Sequence, residues 1–257
     1  MRGWSHAHTP CRIFRRTRSG APVNRPVAVV TGANRGIGRE VCRQLVTHGF
    51  TVVAGARDMA ACERAAAAIN ADGPAESHPV VACRLDVTDP ASVRAAADRV
   101  RRDLGRVDAL VNNAAIDYDT DQRAVSADLD RVGHALETNL LGAWRVTQAF
   151  LPLLRASARP RIVNVSSEAG AISEMTGGIP AYSVSKAGLN ALTRLLAGEL
   201  RRDGVLVNAV CPGWTDTDMG RGGRPVAEGA ASVVWAVLLD DDGPTGGFFR
   251  DGRPLPW

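Results

Sequence analysis

Residues 26–38 read PVAVVTGANRGIG. An apolar, β-branched run ends in Gly32, and two further glycines follow at Gly36 and Gly38. Beyond them, residues 37–48 carry the apolar spacing of an amphipathic helix. A strand that turns through glycines into a helix is the first joint of a βαβ unit. The spacing G-x-x-x-G-x-G meets three physical needs. It gives a tight turn, close approach of backbone to a pyrophosphate, and tight packing of helix on strand. Gly32, Asn34, Arg35, Gly36, Ile37 and Gly38 are therefore candidate phosphate-binding residues.

Outward from this joint the pattern repeats. Strands are expected at 50–56, 79–87, 107–115, 161–167, 205–213 and 246–252, and helices at 58–71, 89–104, 126–154, 181–202 and 225–239. The helix at 89–104 opens on Asp89-Pro90, a strong start signal. Short apolar strands alternating with helices predict a parallel sheet covered on both faces. The fold class is thus α/β, a Rossmann-type doubly wound sheet in a single domain spanning 25–257. Ligands of such sheets bind at the carboxyl ends of the strands.

Two nucleotide and ester chemistries are excluded. A P-loop needs a lysine directly after glycine, and no G-x-S-x-G elbow is present. A dinucleotide remains. Its adenosine ribose belongs after the second strand, where a carboxylate selects NAD and a cation selects the 2′-phosphate of NADP. Arg57 stands there, and Arg35 lies in the glycine loop, so two guanidinium groups can converge on one phosphate. Asp58 follows and offsets part of that field. NADP is the expected cofactor.

The basic side chains hold a second clue. Of 31 lysines and arginines only one, Lys186 in AYSVSKAG (181–188), is lysine. It lies four residues after Tyr182, on the same face of the expected helix.

The ordered set TGANRGIG (31–38), Asp86, NNAA (112–115), Asn139, SS (166–167), YSVSK (182–186) and Pro212-Gly213 resembles the short-chain dehydrogenase/reductase family. The segment NAVCPGWTDTDM with the terminal Trp257 resembles its carbonyl reductase branch. The resemblance covers about 26–257. It implies an NADPH-dependent reductase of an aldehyde or ketone, or the reverse oxidation. Tyr182 would be the acid–base and Ser167 would bind the substrate carbonyl. Lys186 would bind the nicotinamide ribose, and Asn139 would hold a relay water. Asp86 and Val87 would meet the adenine, with Asn113 and Ala114 lining the adenosine ribose. Pro212, Gly213, Trp214 and Thr215 would pass beside the nicotinamide. Ser166 competes for the serine role, but strand alternation and the spacing to Gly170 favour Ser167. Ala115 departs from the family's usual glycine by one methyl. Ile116, Tyr118, Met175, Ile179, Trp214 and Met219 are candidate substrate walls.

The chemistry needs these residue types. A free tyrosine, with a pKa of about 10, exchanges protons poorly near neutrality. A cation ~4 Å from the phenolate contributes about 4 kcal/mol at an effective dielectric of about 20, or roughly three pKa units. Burial acts in the opposite direction, so that figure is an upper bound.

Charge and cysteines bound the rest. Residues 1–24 hold five arginines and no acid, leaving 26 basic against 27 acidic side chains in 25–257. The basicity therefore belongs to a tail, expected to be a disordered extension, and not to a nucleic-acid-binding body. His6 and His8 in that tail could bind a metal, but two histidines alone are seldom a site, and none is expected. Five scattered cysteines, with no Cys-x-x-Cys pair, point to the cytoplasm. No stretch reaches the ~18 apolar residues of a membrane span. The partners expected are a small carbonyl or alcohol and a second copy of the chain, as homodimer or homotetramer, because Ser167 and Tyr182 are too close for a long insertion. The rival reading is a non-catalytic NADP-binding sensor, whose signature would be loss of Tyr182 or Lys186.

Overall fold

The first strand, β1 (Val27–Thr31), sends alternate side chains to opposite faces of the sheet. Val27 and Val29 enter one core, Ala28 and Val30 the other. The computed structural model describes residues 25–72, 80–116 and 118–257. The arginine-rich tail and its two histidines lie outside them.

Along the chain β1 is followed by α1 (Gly36–Thr47), β2 (Thr51–Ala56), α2 (Met59–Asp72), β3 (Val80–Arg84), α3 (Pro90–Leu104) and β4 (Ala109–Asn112). Then come α4 (Leu129–Leu136), α5 (Ala143–Arg155), β5 (Arg161–Val165), α6 (Pro180–Glu199), β6 (Leu206–Val210), α7 (Val226–Val237), β7 (Phe248–Arg250) and β8 (Arg253–Pro254). The strands form one sheet in the order 3-2-1-4-5-6-7-8, parallel except for β8. Helices α3, α5 and α6 cover one face, and α1, α2 and α7 the other. This is the expected doubly wound fold, and the strand order reverses between β1 and β4.

Local chemistry explains the element ends. Asp89 caps α3 by accepting from the Ala91 N–H, and Gly105 closes it in the left-handed region. Three expectations need correction. The single helix at 126–154 is two, joined by a π turn at Glu137–Gly142, and α4 begins only after the Asp128 cap. The strand at 107–115 closes at Asn112, because the chain must leave the sheet to line the cleft. The last strand is a hairpin, turned by Asp251 and Gly252 with positive φ. Among the described residues no helix is long and apolar enough to cross a membrane.

Candidate active site

A cleft of about 440 Å³ opens at the strand-order reversal. Its floor is the glycine loop, pressed against the chain leaving β4. Gly32 has a φ of +64°, and a Cβ there would stand 2.9 Å from the Ala114 Cα. At Gly38 a Cβ would stand 2.4 Å from the Gly32 carbonyl oxygen. The Thr31 hydroxyl accepts from the N–H groups of Asn113 and Ala114, each at 3.0 Å. The Asn113 amide donates back to the carbonyls of Thr31 and Gly32. Gly32, Asn34, Arg35, Gly36, Ile37 and Gly38 all line the cleft, as do Asp86, Val87, Asn113 and Ala114. The Asp86 carboxylate accepts from both the N–H and the hydroxyl of Thr88, which fixes the turn after β3. Ala115 also lines the cleft, so its extra methyl is accommodated.

At one end of the cleft Arg57 follows β2 directly. Its neighbour Asp58 is spent on capping, accepting from the Ala61 N–H. Arg35 shares the cleft but pairs with Asp218, which reaches across from the loop after β6. The expected convergence of two free guanidinium groups is therefore changed: Arg57 faces the cleft unpaired by any described acid, while Arg35 has a carboxylate partner.

At the other end stand Tyr182 and Lys186, one turn apart on α6 and both buried. The Lys186 ammonium donates to the Val165 carbonyl at 2.8 Å and lies 5.5 Å from the Tyr182 ring centre. Burial pushes the lysine down to about 8. Burial also raises the Tyr182 phenol above its ordinary value, against a hydrogen bond with Ser167 that lowers it. The downward shift expected from the sequence is thus reversed in sign, because desolvation of the buried phenolate outweighs the Ser167 hydrogen bond. Ser166 contributes to the cleft wall, yet its hydroxyl turns away to Asn190 Oδ1 at 2.6 Å. Ser167 does not line the cleft, but its side chain hydrogen-bonds the Tyr182 phenol.

Asn139 sits buried in the π turn. Its amide donates to the Ile116 carbonyl and the Ser185 hydroxyl, and its Oδ1 accepts from the Ile116 N–H. Both amide hydrogens are committed, so the side chain is a clamp on the chain after β4. The expected water contact would have to use the remaining Oδ1 lone pair or the backbone carbonyl.

The short chain dehydrogenase family profile matches residues 26–225. The chain belongs to the short-chain dehydrogenase family. It is 36% identical to (+)-neomenthol dehydrogenase of Arabidopsis thaliana, over 86% of this chain and 95% of that protein. It is 32% identical to carbonyl reductase [NADPH] 1 of Sus scrofa, over 91% of this chain and 95% of the relative. Among solved structures, NADPH-bound carbonyl reductase from chicken fatty liver superposes with a TM-score of 0.80 at 31% identity, covering 91% of this chain and 99% of that one.

In this short-chain dehydrogenase the segment after β6 departs from expectation. Pro212 lines the cleft, but Gly213, Trp214 and Thr215 do not; Thr217, Asp218 and Met219 take their place. The cause is local: the Thr215 hydroxyl donates back to the carbonyls of Pro212 and Gly213, turning residue 215 inward. Trp214 swings instead to Tyr118, with ring centres 5.4 Å apart, and Tyr118 meets Tyr182 edge-on at 5.2 Å. Ile116 and Met219 also border the cleft. Sequence reasoning missed Asp218, which no spacing rule marks, and Asp119, discussed below. A proton donor, a cation behind it and a hydroxyl beside it, at one end of a dinucleotide-sized cleft, can move a proton to or from a carbonyl oxygen.

Proposed function

We propose that this short-chain dehydrogenase is an NADPH-dependent reductase of aldehydes or ketones, or catalyses the reverse oxidation of an alcohol by NADP+. The observation that carries the reading is the buried Tyr182–Lys186 pair, at the end of the cleft away from Arg57. The cleft residues fit a phosphorylated dinucleotide. A side chain at Gly38 would collide with backbone, and the Arg57 guanidinium has no described acid to neutralise it. Relatives named as NADPH carbonyl reductases support the same choice of cofactor.

When bound, NADPH supplies the hydride. The chain's own groups do the rest. Ser167 holds the substrate oxygen by hydrogen bonding, and Tyr182 gives that oxygen its proton. Lys186 stabilises the phenolate left behind and takes the ribose hydroxyls. Asn139 keeps Ile116, and hence the cleft wall, in register. Tyr118 and Trp214 shield the proton transfer from water on the substrate side. The test is turnover of aldehydes, quinones and cyclic ketones, followed by NADPH absorbance. Tyr182→Phe should remove nearly all turnover while NADPH binding, read by fluorescence, persists. Undiminished turnover in Tyr182→Phe would refute the assignment.

A further inference from the structure

Helix α6 begins without a local cap. Its first flanking residue is Ile179, which has no side-chain acceptor and adopts a φ of +41°. The orphan N–H groups of its first turn must nonetheless be satisfied, since Ala181 and Tyr182 are buried. The first-turn donors are all accounted for. Pro180 has no N–H, and Ser183 donates to the Ile179 carbonyl. The remaining two donate to one carboxylate, Asp119: Ala181 to Oδ2 at 2.9 Å and Tyr182 to Oδ1 at 3.1 Å. Asp119 is fully buried and comes from the chain after β4. Its charge is met by the positive end of a 20-residue helix.

A serine or aspartate at 179 would satisfy those N–H groups locally. The remote cap does something a local one cannot: it ties the backbone of Tyr182 to the cleft wall. The adjacent Tyr118 packs edge-on against the Tyr182 ring, so two consecutive residues hold the tyrosine by its amide and by its face. The tie is closed by a chain of hydrogen bonds. Asn139 clamps Ile116 and donates to Ser185, and Ser185 donates to the Tyr182 carbonyl at 2.7 Å.

We propose that Asp119 is a positioning residue for the acid–base tyrosine, locking Tyr182 to the substrate wall through its backbone N–H. The inference rests on the reading of Tyr182 as the proton donor. Proton transfer tolerates little displacement, and a shift of about 1 Å costs on the order of 100-fold in rate. The glycine loop and Arg57, which would hold the cofactor's phosphates, are not among the partners of Asp119, so binding and turnover should separate.

The experiment compares Asp119→Ala, Asp119→Asn and Tyr182→Phe, with kcat expressed per NADPH-binding site counted by fluorescence titration. Asp119→Ala should lower kcat by at least ~30-fold and leave the Kd for NADPH within about threefold. Asp119→Asn keeps one carbonyl acceptor and should recover part of that loss, leaving kcat several-fold below the parent. A parental kcat in Asp119→Ala overturns the proposal, as does loss of NADPH-binding sites in step with activity, which marks a purely structural cap. Should Asp119→Ala fail to fold, Asp119→Asn decides. A several-fold lower kcat at unchanged NADPH affinity supports the proposal, and a parental kcat overturns it. Full turnover in Tyr182→Phe would instead overturn the Tyr182 reading itself.

Discussion

Lys186 stands 5.5 Å from the centre of the Tyr182 ring and is fixed there by the Val165 carbonyl. Burial opposes charge on both residues: it raises the phenol and lowers the ammonium. Neither ion is comfortable alone, whereas phenolate and ammonium together partly cancel. We propose that the pair works as a unit.

Lys186→Arg should keep the fold but lower kcat/KM by at least ~100-fold, about 2.7 kcal/mol of transition-state stabilisation. A guanidinium is wide, planar and diffuse, and the lysine's surroundings are closed. The apparent acid–base pKa in the rate profile should rise as well. Parental activity in this variant would make the solitary lysine a compositional accident.

The same burial predicts a pH signature in stability. An unfolded lysine keeps its proton up to about 10.5, whereas Lys186 in the folded chain releases it at about 8. Between those values the unfolded state binds more protons, so this group favours folding increasingly as pH rises. The four buried cysteines act in the opposite sense above about 9, because burial raises their thiols. Comparing the parent with Lys186→Met isolates the lysine. Urea unfolding should show the parent gaining on the variant from pH 8 to 10, by about 2 kcal/mol. A difference independent of pH would contradict it.

Cofactor choice should depend on two opposing side chains. Arg57→Asp should abolish or reverse the preference for NADPH over NADH, since it puts a carboxylate where the 2′-phosphate belongs. Asp218→Asn should release Arg35 from its exposed ion pair and lower the KM for NADPH about two- to threefold, leaving that for NADH unchanged. Equal efficiency with both cofactors in the parent would contradict the assignment of Arg57.

Assembly should follow from apolar side chains left on the surface. Leu141 in the π turn and Trp144 at the start of α5 lie half exposed, as do Val184 and Leu195 on α6. With these apolar side chains exposed, a homodimer or homotetramer is expected. Light scattering at micromolar concentration should give at least twice the 27.2 kDa of one chain; a single-chain mass would refute it.

The sequence by itself determined the sheet, the position of the cleft and the residues bordering most of it. Those signals are local. Strand and helix periods repeat every few residues, glycines mark a turn where a Cβ would collide, and Tyr182 and Lys186 are one helical turn apart. Only the tertiary structure decided what lies across the cleft. Asp218 neutralises Arg35 over 183 residues of chain, and Asp119 caps α6 from 63 residues before Tyr182. The π turn that aims Asn139 at Ile116 and the rise of the Tyr182 phenol belong to the same class. Each depends on desolvation or on a partner brought near by folding. Neither leaves a period or a spacing in the chain, because burial and charge pairing act through space and not along the backbone.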